Sequence, residues 1–99
     1  MITVNINGFL TEFTEGQRQL TVDAAPGTVG EALAQLWRSH AGLRDRVVNE
    51  QGVVRPHVNI FLNNENLRYL QGLQTPIAEG AEITILPAVS GGTDVNREP

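Results

Sequence analysis

The chain has 99 residues, a formal net charge of −4, 40% hydrophobic residues and 18% charged ones. That length holds one globular domain, too small for a large enclosed catalytic pocket, and its acidic balance argues against a nucleic-acid binder, whose phosphate partners demand a basic face. The absence of cysteine excludes a disulfide scaffold, a thiol nucleophile, an iron–sulfur cluster and a cysteine-ligated zinc site, while His40 and His57 are too few for most metal cages.

All seven basic residues are arginine. Compositional drift explains this, as does a partner chemistry that makes amide bonds to lysine. No run of apolar residues approaches the ~20 needed to span a bilayer. The opening Met1–Ile6 lacks a basic segment leading into a long apolar stretch. The chain therefore reads as cytoplasmic, with no membrane partner.

Ile2, Val4 and Ile6 alternate with polar residues, which predicts a strand with one apolar face. Thr11 to Gly16 reads as a polar loop, and Leu20 and Val22 as a second short strand close enough to pair with the first. Pro26-Gly27 stops that strand. Thr28 and Glu31 form a capping box, after which Val29, Ala32, Leu33, Leu36 and Trp37 recur at helical spacing, with Glu31, Gln35 and Arg38 facing water. Gly42 is the expected helix stop, and His40 reads as a helix-end residue rather than a ligand or base.

Leu43, Val47 and Val48 suggest a short helical extension, and Asn49 to Gly52 a turn. Val58, Ile60 and Leu62 predict a third strand, followed by a turn at Asn63–Asn66. Leu67 to Gly72 reads as a very short strand or a single helical turn, and Ala78–Ala81 as another turn. Ile83 and Ile85 make a final strand stopped by Pro87. One main helix against a mixed sheet of four or five strands is the smallest arrangement that buries the helix stripe. The physical argument gives a small α+β domain; by analogy, its order of elements is that of the ubiquitin-like β-grasp fold.

From Ser90 onward only Val95 is appreciably apolar, so residues 1–89 read as the domain and 90–99 as a flexible tail. Within the tail stands Gly91-Gly92. Backbone without a Cβ can enter a narrow channel, so an enzyme handling the Gly92 carboxylate would meet no side chain on the way.

Gly80 to Gly92, with its run Ile85-Leu86-Pro87-Ala88-Val89-Ser90-Gly91-Gly92, closely resembles the ending of the ThiS/MoaD ubiquitin-like sulfur carriers. Val58 to Arg68 resembles the matching strand and turn. With Gly72-Leu73, Thr75 and Ile77 to Gly80, the chain is most similar to the CysO branch, which serves cysteine synthesis. The resemblance is tight from His57 to Gly92 and looser over the first half.

The resemblance implies a carrier rather than an enzyme. A ubiquitin-activating-type adenylyltransferase would use ATP to activate the terminal glycine carboxylate, and sulfur would then replace one oxygen to give a thiocarboxylate. A cysteine-synthase-like partner would accept the sulfur, and a JAMM-type metalloprotease would release the product. By residue, Gly92 would carry the sulfur and Gly91 would give access. The carrier itself would hold no metal and no cofactor, ATP being used by its partner, and a monomer suits a tail presented to several enzymes in turn.

Seven residues follow Gly92, so its carboxylate is locked in a peptide bond to Thr93. The expectation is a precursor, cut between Gly92 and Thr93 by a JAMM-type protease to remove residues 93–99. Phe61 and Leu86 should share the outer face of the sheet as a docking patch for the activating enzyme, with Arg68 and Tyr69 at its rim. Trp37 is expected in the core, while Phe9 and Phe13 have no assigned place. Two other functions fit the same residues: a ubiquitin-like modifier joined through Gly92 to lysines of other proteins, and a passive β-grasp interaction module.

Overall fold

Alternating apolar residues set the sheet, and a computed structural model describes it for residues 1–23 and 27–87. Strand β1 (Ile2–Ile6) buries Ile2, Val4 and Ile6 and pairs antiparallel with β2 (Gln19–Val22). A two-residue strand β3 (Gly27–Thr28) leads into helix α1 (Val29–Ser39), and α2 (Ala41–Val47) follows. Strand β4 (Val58–Leu62) turns into β5 (Glu65–Asn66). Two 3-10 turns, Leu67–Tyr69 and Gly72–Gln74, lead to β6 (Pro76–Ile77), and β7 (Glu82–Pro87) closes the order.

The main sheet runs β2-β1-β7-β4-β5, and β3 pairs separately with β6. Strand β7 is its centre, parallel to β1 and antiparallel to β4. The sheet is mixed and five-stranded and carries α1 across one face, which is the β-grasp fold. Ile83 and Ile85 from β7 join Val4, Ile6, Val58 and Ile60 in one core with Val29, Ala32, Leu33 and Leu36 of α1. Each of these valine, leucine and isoleucine side chains contributes about 1.5–3 kcal/mol when fully buried, before the entropy of ordering it is subtracted.

The capping box at the start of α1 is complete. The Glu31 N–H donates to Thr28 Oγ1 at 3.2 Å, and the Thr28 N–H donates to the Glu31 carboxylate at 2.8 Å. Two N–H groups that a helix start leaves without partners are thereby satisfied. Trp37 is half-buried and packs against the core from the helix side.

The helix does not stop at Gly42. Non-helical backbone at His40 (φ −136°, ψ 64°) ends α1, and Gly42 lies inside α2, where an added Cβ would come within 3.2 Å of the Phe13 ring. That glycine lies close against the ring rather than ending the helix. The expected helical extension is this separate helix, burying Leu43 and Val47, while Val48 bridges to Val54 around the Asn49 turn. The region from Thr11 to Gly16 is not simply a polar loop either. Gly8–Thr14 is a 3-10 helix that buries Leu10 and Thr14, with the Thr14 hydroxyl donating to the Gln17 carbonyl at 2.6 Å.

The turn after β4 is tighter than Asn63–Asn66. Asn63 and Asn64 alone form it, at φ 55° and 103°, and Glu65 and Asn66 already pair back onto Leu62 and Phe61. Asparagine tolerates this left-handed backbone, which is why a two-residue hairpin loop selects it.

Candidate functional site

Strand β7 fixes where the chain leaves the domain. Its last residue, Pro87, stands opposite Val58 on one side. On the other side Gly8 packs against it so closely that a Cβ there would lie 3.2 Å from the Pro87 ring. Gly8 adopts φ +65°, a conformation glycine takes without strain. Gly91, Gly92 and Thr93, the predicted carrier terminus and processing site, lie outside the described residues, as does the proposed boundary between domain and tail at residues 89 and 90.

The outer face of the sheet is set by the same alternation. Phe61 pairs with Thr84, and Leu86 with Asn59, so Phe61 and Leu86 are diagonal neighbours on adjacent strands. Leu86 is 37% exposed; Phe61 is half-buried rather than open to solvent. Around them the face is polar and cross-linked. Asn5 Nδ2 donates to Glu82 at 2.8 Å and to Thr84 at 3.2 Å, and Gln19 donates to Asn5 at 3.1 Å. The apolar spot is thus small and framed by side chains that already hold one another.

Arg68 has more to do than line a rim. Its guanidinium donates to Asn59 Oδ1 at 2.9 Å, to the Pro56 carbonyl at 2.6 Å and to the Val58 carbonyl at 3.1 Å. Strand β5 pairs only with Phe61 and Leu62, so the edge of β4 before Phe61 is left open, and Arg68 covers it. Its own N–H donates to Asn66 Oδ1 at 2.9 Å, which fixes the turn that carries it. Tyr69, next in that turn, is 87% exposed. The Asn59–Asn66–Arg68 clamp is missed by sequence reasoning. Its only trace there is asparagine at two positions otherwise suited to strand residues.

Below the β4 edge an apolar groove of about 370 Å³ is lined by Val53, Val54, Leu67 and Leu73. It brings together no nucleophile and base among its lining residues. No helix among the described residues is long and apolar enough to cross a membrane.

A sequence model of the ThiS family matches residues 4–92. The chain belongs to the ThiS family. The match stops on the second glycine of the pair. Among its ThiS-family relatives, the chain is 38% identical over 93 residues to the protein named sulfur carrier protein CysO of Mycobacterium tuberculosis, covering 92% of this chain and 98% of that one. Its fold superimposes on CysO in the crystal structure of the Amycolatopsis orientalis BexX/CysO complex with a TM-score of 0.81 and 35% identity, over 93% of this chain and all of that one. It is also 36% identical over 78 residues to small archaeal modifier protein 1 of Haloferax volcanii, covering 78% of this chain and 85% of that protein. The curated relatives named here are carriers or modifiers by name.

Proposed function

We propose that this protein is a sulfur carrier acting through the carboxylate of Gly92, in cysteine synthesis or a related sulfur pathway. The observation that carries the reading is where the family match ends: on Gly92, five residues past the fixed end of β7. The relatives named sulfur carrier protein, aligned over nearly their whole length, support it.

In this reading a JAMM-type metalloprotease first hydrolyses the Gly92–Thr93 bond. Water supplies hydroxyl to the Gly92 carbonyl and a proton to the departing Thr93 amine. A ubiquitin-activating-type adenylyltransferase then joins a Gly92 carboxylate oxygen to the α-phosphorus of ATP, and pyrophosphate leaves. A sulfur nucleophile attacks the acyl carbon and displaces AMP, leaving a thiocarboxylate. On a cysteine-synthase-like partner the thiocarboxylate sulfur bonds to the β-carbon of an activated serine as its leaving group departs. The cysteine, then joined to Gly92, is released hydrolytically by a JAMM-type metalloprotease, which returns the Gly92 carboxylate. The chain acts in the cytoplasm as a monomer, binds no cofactor and catalyses none of these steps.

Position is what the chain's own residues contribute. Pro87, held between Gly8 and Val58, presents residues 88–92 from a fixed point. Phe61 and Leu86 offer the apolar contact for the activating enzyme, Tyr69 adds an exposed ring, and Arg68 keeps the β4 edge beneath them in place. The test is chemical labelling with a thiocarboxylate-selective sulfonyl azide in cells of the native organism. Labelling of the wild-type chain and its loss when Gly92 is replaced by alanine are expected. An unlabelled wild-type chain contradicts the reading.

The match to a protein named as a modifier supports a second use of the same terminus, in which Gly92 is joined to lysines of other proteins. This chain has no lysine of its own, so it could not extend such conjugates through a lysine side chain. Gly92-linked peptides in digests of cellular protein would favour it.

A further inference from the structure

Arginines gather at one end of the sheet. Arg18, Arg55 and Arg68 lie at the end where β7 stops, with His57 beside them. The Arg18 carbonyl accepts from the Ile6 N–H, His57 precedes the partner of Pro87, and Arg68 holds the Pro56 and Val58 carbonyls. Asp23, Glu65, Glu79 and Glu82 lie at the other end. Asp23 follows Val22, the partner of Ile2; Glu65 pairs with Leu62; Glu82 opens β7; and Glu79 pairs with the Met1 amino group. In a chain of net charge −4, arginines thus gather at the end where Pro87 closes β7, although Glu12 and Glu15 lie on the same side.

At that end is an open depression of about 530 Å³, lined by Phe9, Phe13, Asp45, Arg46, Arg55 and His57. It adjoins Pro87, because Phe9 follows Gly8 and His57 precedes Val58, the two residues between which Pro87 sits. The Arg46 guanidinium lies over the Phe13 ring, 5.1 Å from its centroid. Arg55 Nε donates to the Asp45 backbone carbonyl at 2.9 Å. These contacts hold both guanidinium groups without neutralising them. The Asp45 carboxylate pairs with Arg44, and among the described residues no carboxylate lies within ion-pair distance of Arg46 or Arg55. Phe9 adds a ring 49% exposed. Glu12 and Glu15 belong to this side of the domain but do not line the depression.

We propose that this depression is a docking surface for a carboxylate-rich segment of a partner protein that works where the chain leaves β7. Two guanidinium groups already held by a ring and a carbonyl lose little freedom on meeting carboxylates. At a solvent-exposed site they set orientation and the rate of encounter more than affinity. The net negative charge repels a long polyanion such as a nucleic acid, whereas a short acidic segment of a folded partner needs only the local cations. The inference goes beyond the carrier reading, and its test needs only the folded chain.

The probe is an octaglutamate peptide with blocked ends, titrated into the isotopically labelled full chain while amide and arginine side-chain resonances are followed. Shifts should cluster at Phe13, Arg46, Arg55 and His57 and weaken several-fold as salt rises from about 0.02 M to about 0.15 M. Replacing both Arg46 and Arg55 by glutamine should weaken binding about tenfold, while Arg38→Gln, on helix α1, should have little effect. An equal loss from Arg38→Gln would mean diffuse attraction and overturn the proposal. Shifts that do not cluster, or the same shifts from inorganic phosphate at equal concentration, would overturn it too, the latter by making this a small-anion site. The shift map of the unaltered chain decides between these outcomes even if a substituted chain misfolds.

Discussion

Gly8 and Pro87 pack so closely that a Cβ on Gly8 would lie 3.2 Å from the Pro87 Cγ. This contact, with the pairing of Pro87 to Val58, fixes the last residue of the central strand, five residues ahead of Gly92 in sequence. Gly8→Ala would meet both a φ of +65° and the proline ring. A loss of about 1–2 kcal/mol is expected, read as a lower midpoint in urea unfolding. A chain as stable as the wild type would show that the contact yields freely.

Arg68→Ala should destabilise the domain by about 1–2 kcal/mol, because the Pro56 and Val58 carbonyls lose this donor at a partly solvated edge and Asn59 Oδ1 keeps only Asn66 Nδ2. Arg68→Lys should recover only part of this, since an ammonium cannot span three acceptors as a planar fork does. Thermal melts of the two variants check the order; equal melting of Arg68→Ala and wild type would remove the clamp from the account.

Thr28→Ala should cost about 1 kcal/mol through loss of the cap at the start of α1. The reciprocal partner can be tested separately: Glu31→Gln keeps an acceptor for the Thr28 N–H and should cost less. Hydrogen exchange at the Glu31 amide, which donates to Thr28 Oγ1, should speed up in Thr28→Ala and stay slow in Glu31→Gln.

Leu86→Ser should leave stability within about 0.5 kcal/mol, because the side chain stands on the outer face and is partly exposed. If Phe61 and Leu86 dock the activating enzyme, the same change should lower thiocarboxylate formation in cells about tenfold. Phe61→Ala should lower it as well, with a stability cost of about 1 kcal/mol, because that ring is half-buried. Unchanged labelling in both variants would remove the patch from the mechanism.

Much of this architecture is legible in the residues. Period-two alternation at Ile2–Ile6, Val58–Leu62 and Glu82–Pro87 gives the three inner strands, and Thr28 with Glu31 gives the helix start. What stays hidden is what tertiary contact decides. Gly42 carries the composition of a helix stop, but its smallness serves the Phe13 ring, a neighbour distant in sequence. Strands β3 and β6, of two residues each, are too short for any period to register. The outward placement of Phe61 and Leu86 follows from alternation alone, yet the burial of Phe61 depends on neighbouring side chains. Arg68 reads as a surface charge because nothing local reveals that β5 stops short and leaves carbonyls for it to cover.

The central claim is that Gly92 is freed and carries sulfur, and intact mass spectrometry of the protein isolated from its own organism tests it most directly. The account predicts a species ending at Gly92, part of it heavier by the exchange of one oxygen for sulfur. A single species still ending at Pro99 would contradict it, because a carboxylate bound in the Gly92–Thr93 peptide cannot be activated.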